Sequence, residues 1–207
     1  MTLSHPPIIF IRHGETGWNR DGLIQGTSDI VLNALGRRQA RAIARKLADL
    51  IEKPGEVMFN VSPLMRARQT MDVILDGLDL PDDTAITDER LKEISFGKWE
   101  GRFWRELVDH SDGHEMERVG YHWCPQGGES YHDVAMRVAE WLTELQTPVV
   151  TVAHGVVGRV LRGLSLDLSP GETRHLPISQ WRFFRLAGGD IEWFETNPTL
   201  VRDAWDA

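Results

Sequence analysis

Three apolar runs in this chain end in side chains that can handle a phosphate. Ile8-Ile9-Phe10-Ile11 runs into Arg12-His13-Gly14, and Val57-Met58-Phe59-Asn60-Val61 leads through Ser62 to Arg66. Val149-Val150-Thr151-Val152-Ala153 ends at His154-Gly155. A guanidinium forks onto phosphate oxygens, and a neutral imidazole is a nucleophile near neutral pH. Glycine has no Cβ, so at Gly14 the backbone can approach a ligand closely. Arg66 falls in the first turn of a helix, against the dipole, whereas Arg68 two positions on can point to solvent. A helix N-terminus binds anions, so His154 and the Gly155 amide are expected to face one phosphate. A lone histidine is more often a satisfied core residue than a catalyst. Arg-His, Arg and His at three strand ends make a shared anion site the better account.

These runs are short and partly β-branched, as in buried strands, and ligands of open α/β sheets bind beyond the carboxyl ends of such strands. Between the first two lie a Gly-, Asn- and Asp-rich stretch, 17–29, expected as a loop, and an apolar stripe from Ala34 to Ile51. Asn33 is a good N-cap for that helix, and Pro54-Gly55 ends it. Ser62 is expected to cap a helix that starts at Pro63, with Leu64, Ala67, Met71, Ile74 and Leu75 on its buried face. The acidic connection 78–84 precedes an expected strand over 85–91. Helices are expected over 129–145 and 156–164, and a terminal hairpin around Gly188-Gly189. Residues 97–128 are the least regular, with Trp99, Trp104, Trp123 and three histidines, and look like an insertion that roofs the site. The expected fold is a three-layer α/β/α sandwich with a mostly parallel central sheet. The expected organisation is one domain over 1–207, the roof at about 97–128 included.

Length and composition agree with this. The 207 residues, 41% hydrophobic and 26% charged, suit one well-buried soluble domain. The net charge of −8 argues against a nucleic-acid-coating role. A local cluster of Arg and His still suits a small anionic substrate. Cys124 is the only cysteine, which excludes an intrachain disulfide and fits a reducing compartment. No signal-peptide pattern and no run near about 18 apolar residues is present, so a cytoplasmic, membrane-free protein is expected.

Arg12-His13-Gly14 with Asn19 six residues after the histidine resembles the signature of the histidine phosphatase superfamily, the phosphoglycerate-mutase-like enzymes. So do Gln25-Gly26-x-x-Asp29, Ser62-x-Leu64-x-Arg66-Ala67-x-Gln69-Thr70, Leu91-x-Glu93 with Gly97-x-Trp99-Glu100-Gly101, and Ala153-His154-Gly155. The motifs come in family order and span 8–164. The likeness is to the phosphatase branch that includes alpha-ribazole phosphatase and broad-specificity phosphatases. It implies phosphate monoester hydrolysis through a phosphohistidine on a small phosphorylated metabolite, without cofactor or metal. It further implies His13 as nucleophile, and Arg12, Arg66 and a protonated His154 as the phosphate pocket. Asn19, Gln25 and Gly155 are then substrate contacts, and Glu93 is the proton donor. The acid-phosphatase branch carries His-Asp where this chain has His154-Gly155, which leaves the acid to Glu93.

Departures from the pattern bear on the rival activities, a mutase or a binding protein without turnover. Leu23 stands where many relatives have Arg, and Val31 where Pro is usual. Mutases follow the catalytic Glu with a pattern like Glu-Arg-x-Tyr-Gly-x-Leu-Gln-Gly-x-Asn-Lys. This chain has Ile94 for that Arg, Phe96 for the Tyr and Trp104 for the Lys, and Val156 replaces the Asn after His-Gly. Two cations and a hydroxyl are lost from the side that holds a second anion. All matched catalytic positions are filled, which disfavours the binding protein. His110, His114, His122 and Cys124 offer only one helical ligand pair, His110/His114, a weak case for zinc. Trp99, Trp104 and Trp123 suit either a substrate wall or an aromatic core, and Glu129 either the site or a helix start.

Overall fold

The computed structural model describes residues 5–197. Six strands form one sheet: β1 (Ile8–Arg12), β2 (Met58–Val61), β3 (Ala85–Thr87), β4 (Val149–Ala153), β5 (Arg182–Ala187) and β6 (Asp190–Glu195). Their order is β3-β2-β4-β1-β5-β6. The first four are parallel, while β5 and β6 return antiparallel as the expected hairpin. In register, Arg12 lies beside Ala153, and Val61 beside Val152. The carboxyl ends of β1, β2 and β4 therefore finish level, and the residues after them are neighbours.

Strand alternation decides which layer each side chain joins. Ile8 and Phe10 of β1, with Val149 and Ala153 of β4, pack against α6 (Tyr131–Glu144) and α7 (Gly155–Ser165). Ile11, Val150 and Val152 point the other way, to α2 (Ala34–Leu50) and α3 (Met65–Gly77). The three layers are thus present, over a mixed sheet that is parallel on the side bearing the site.

The region after β1 contains a short helix, α1 (Gly17–Asp21), in place of the expected loop. Thr16 and Asn19 close it as a reciprocal capping box, a local bonding pattern that outweighs the Gly and Asn content. The strand expected over 85–91 is only three residues long, and a 3₁₀ turn over Glu89–Leu91 follows it. The roof is more regular than its composition suggests. It holds α4 (Trp104–Asp109) and α5 (Ser111–Val119) around Ile24, Trp99, Leu107 and Trp123. Trp99 is a core residue, and its indole N–H donates to Asp112. One further helix, α8 (Pro170–His175), precedes β5. Most of the C-terminal stretch 196–207, in which no chemistry is legible from the sequence, lies outside the described residues.

The helix after β2 begins at Met65, not at Pro63, and Ser62 does not cap it. Asp29 reaches across from the preceding loop and accepts from the Met65 amide at 2.6 Å. A carboxylate on a helix N-terminus is the better cap. Ser62 is left for another partner.

Candidate active site

Arg12, His13, Asn19, Gln25, Arg66, Glu93 and Gly155 line one cavity of about 580 Å³ at the carboxyl ends of β1, β2 and β4. His154 lies immediately beneath, its ring centroid 5.1 Å from that of His13. Four segments far apart in sequence, 12–25, 66, 93 and 154–155, meet here, three of them because the parallel strands end level.

His13 is 2% exposed, and its Nδ1–H donates to the Gly14 carbonyl at 2.7 Å. That bond fixes the tautomer and leaves Nε2 with a lone pair. Burial, then Arg66 and Arg12, hold its pKa well below the usual histidine value, so the ring is neutral and nucleophilic. A Cβ on Gly14 would run into the Gly36 carbonyl, so β1 can meet the start of α2 only with glycine there. The Gly14 amide donates to Thr70 Oγ1, and the Glu15 amide to Gln39.

Arg66 is fully buried yet pairs with no carboxylate among the described residues. Its Nη1 and Nη2 donate to the carbonyls of Ser28 and Gly26, each at 2.7 Å. Burial pushes its pKa down to about 10. Its Nε, the Nε of Arg12 and the Nδ1 of His154 are buried with no hydrogen-bond partner among the described residues. Buried donors are rarely left unmatched, and three of them on residues gathered around His13 mark a place for an oxyanion.

His154 Nε2 pairs with Ser62 Oγ at 2.7 Å, which is the partner left to Ser62 when Asp29 capped α3. With the Ser62 hydroxyl donating to Nε2, the Nδ1–H of His154 is the ring donor left without a partner among the described residues. The expected protonated His154 is corrected here. Burial, then Arg66 and His13, hold its pKa well below the usual value, so it is a neutral donor. The Gly155 expectation is corrected too. Its amide donates to Glu93 Oε2 at 3.0 Å, and the Val156 amide to Oε1 at 3.1 Å. The start of α7 does hold an acidic group, and that group is the Glu93 carboxyl.

Asn19 Oδ1 accepts from the Thr16 amide and from Gln180 Nε2, at 3.2 and 3.1 Å. The backbone donor leaves no doubt about the flip, and the Asn19 NH₂ is the end presented to a ligand. Gln25 Oε1 is held by Thr16 Oγ1 at 2.9 Å, which likewise directs its NH₂ outward.

Several contributors escaped the sequence analysis. Gln180 also donates to the His13 carbonyl, and no motif marks it. Glu100 accepts from Thr27, Ser28 and Phe96, so it fastens the loop whose carbonyls hold Arg66. Burial would raise the Glu100 pKa; those bonds outweigh it and hold the value below the usual range. Its place in the Gly97-x-Trp99-Glu100-Gly101 motif was the available signal. Arg159 and Tyr131 line the cavity from α7 and α6. Glu129 does not line the cavity; it accepts from the Ser95 amide and from Arg137. His110 caps α5 through Nδ1 and packs on Trp99. Leu23, Ile94, Phe96, Trp104, Trp123 and Val156 form the apolar wall.

A parallel sheet with a buried His, two Arg and a second His at its carboxyl edge defines a phosphoryl-transfer site. The model of the histidine phosphatase superfamily (branch 1) matches residues 8–196, and the chain belongs to that family. It is 33% identical over 187 residues to the glucosyl-3-phosphoglycerate phosphatase of Mycolicibacterium vanbaalenii, covering 84% of this chain and 76% of that one. A probable phosphoglycerate mutase of an Enterobacter species is 31% identical over 197 residues, covering 90% and 86%. A solved mycobacterial glucosyl-3-phosphoglycerate phosphatase superposes with a TM-score of 0.75 at 30% identity, covering 92% and 96%. The enzyme class is histidine-type phosphatase.

Proposed function

We propose that the chain hydrolyses a phosphate monoester on a small metabolite through a phosphohistidine at His13. The single observation that carries this is the set of buried, unmatched donors on Arg12, Arg66 and His154 beside a neutral His13. The phosphoryl oxygens take the guanidinium N–H groups, the His154 Nδ1–H and the Asn19 amide, and Gln25 contacts the substrate beside them. His13 Nε2 attacks phosphorus and the P–O bond to the alcohol breaks. Glu93 gives its proton to the departing oxygen. Glu93 then takes a proton from water, whose oxygen attacks phosphorus and returns inorganic phosphate and free His13. Gly155 acts by holding Glu93 through its amide. Most of the catalytic gain in such a transfer is positioning and cationic stabilisation.

Hydrolysis is favoured over a mutase because Ile94, Phe96, Trp104 and Val156 line the cavity in place of the Arg, Tyr, Lys and Asn of the mutase pattern. We read 1–207 as one domain with 97–128 as the roof, acting in the cytoplasm on a small phosphorylated substrate, with no nucleic-acid or membrane partner. Among the described residues no helix is long and apolar enough to cross a membrane. The purified chain is expected to release phosphate from p-nitrophenyl phosphate. It is not expected to convert 3-phosphoglycerate into 2-phosphoglycerate when primed with bisphosphoglycerate. Isomerisation as fast as its best hydrolysis would replace this function with a mutase.

A further inference from the structure

Four guanidinium groups line the cavity, and their partners differ. Arg12 and Arg66 present buried N–H groups to the phosphate place. Arg174 pairs with Glu117 and donates to the Met116 carbonyl. Arg159 has no carboxylate partner among the described residues. Its Nε donates to the Leu176 carbonyl at 2.6 Å and its Nη1 to the Tyr131 hydroxyl at 2.9 Å. These two bonds set the guanidinium plane without neutralising it. Among the described residues the N–H bonds of Nη2 meet no acceptor, and the Tyr131 hydroxyl, which accepts from Arg159, still has its own proton to donate.

We propose that Arg159 and Tyr131 form a second oxyanion subsite, so that the substrate's alcohol carries an acidic group, a carboxylate or a second phosphate. This rests on the hydrolytic function proposed above and names the substrate class within it. A half-buried cation without a counter-charge is costly, and a forked guanidinium with a neighbouring phenol matches a planar or tetrahedral oxyanion. The position is on the leaving-group side. Arg159 is close enough to Arg12 to depress its pKa, and Glu93 close enough to Tyr131 to raise that of the phenol, although burial is the larger cause in each case. Burial keeps the phenol protonated, as a donor to an anion must be. Ile94, Val156 and Ile178 line the same cavity. Arg174 there pairs with Glu117, and His175 bonds the Gly171 carbonyl, which leaves Arg159 as the cation on that side without a carboxylate partner among the described residues. Arg159 is therefore a specificity residue, acting on substrate binding and not on the phosphoryl transfer itself.

The test compares two esters that differ only at this group: 3-phosphoglycerate and glycerol 3-phosphate, in which CH₂OH replaces the carboxylate. The wild type is expected to favour the acid by about tenfold or more in kcat/KM, mostly through KM, the scale of a charge-assisted pair of hydrogen bonds. R159M is expected to bring the ratio to about one, R159K to leave part of it, and Y131F to lower it a few-fold. Propane-1,3-diol bisphosphate identifies the source: a higher kcat/KM than 3-phosphoglycerate assigns a second phosphate, a lower one a carboxylate. A wild-type ratio near one, or an R159M ratio equal to that of the wild type, overturns the subsite. Turnover of p-nitrophenyl phosphate reports on the hydrolytic function separately. Should neither ester turn over, the affinities of H13A for both, read by tryptophan fluorescence, decide the matter. Equal affinities overturn the subsite, and tighter binding of the acid supports it.

Discussion

Two fully desolvated histidines set a pH limit on the fold. His13 and His154 are 2% and 0% exposed, and burial, with Arg66 next in importance, holds both pKa values well below 6.5. Below about pH 6.5 the unfolded chain takes up a proton on each, while the folded chain does not. The unfolded state then binds more protons, so stability present above that pH is lost as pH falls. Each histidine contributes up to about 1.4 kcal/mol per pH unit, and the pair costs about 4 kcal/mol between pH 7.5 and pH 5. The depressed carboxyls, such as Asp88, join only at lower pH. Urea unfolding at constant ionic strength, at steps from pH 7.5 to pH 5, measures this directly. His154→Gln keeps a hydrogen-bonding partner for Ser62 and should remove about half of the loss. A wild-type loss under about 1 kcal/mol, or an unchanged loss in the variant, would refute the neutral buried pair.

Other outcomes follow from the same geometry. Glu93→Gln should lose about 10²-fold or more on an alkyl phosphate and much less on an aryl phosphate with an acidic phenol, as general acid catalysis requires. Equal losses on both would make Glu93 a positioning group only. Gly14→Ala should destabilise the chain by about 1–3 kcal/mol in a urea titration, because the new methyl meets the backbone of α2. An unchanged midpoint would mean that the close approach of β1 to Gly36 relaxes freely.

The sequence exposed the site wherever chemistry sits on a periodic element. The three strand ends and their order were legible because apolar runs stop abruptly at Arg12, Arg66 and His154. Glu93 was legible by its motif alone, since a short strand and a 3₁₀ turn give no periodicity to mark it. What stayed hidden was the allocation of hydrogen bonds. Ser62 and Asp29 are both good caps, and only their spatial arrangement gives the helix to Asp29 and the histidine to Ser62. A linear pattern leaves the Gly155 amide free for a phosphate, whereas in the fold it holds Glu93. The charge of His154 depends on its distance from Arg66 and on burial, neither of which a linear pattern carries. Gln180 and Arg159 lie outside every motif; packing alone brings the first onto Asn19 and the second into the cavity. The roof misled by composition: its glycines and tryptophans suggest irregularity, yet Trp99 organises two short helices.

The phosphohistidine at His13 is the claim on which the rest depends. Brief exposure to a ³²P-labelled phosphomonoester, followed by a denaturing quench at alkaline pH, reports it directly. The wild type should retain about one equivalent of label per active site, stable to base and lost in acid, mapping to the peptide that contains His13, and His13→Ala should retain none. An unlabelled wild type that still turns over under those conditions, or a His13→Ala variant with substantial activity, would contradict the covalent mechanism.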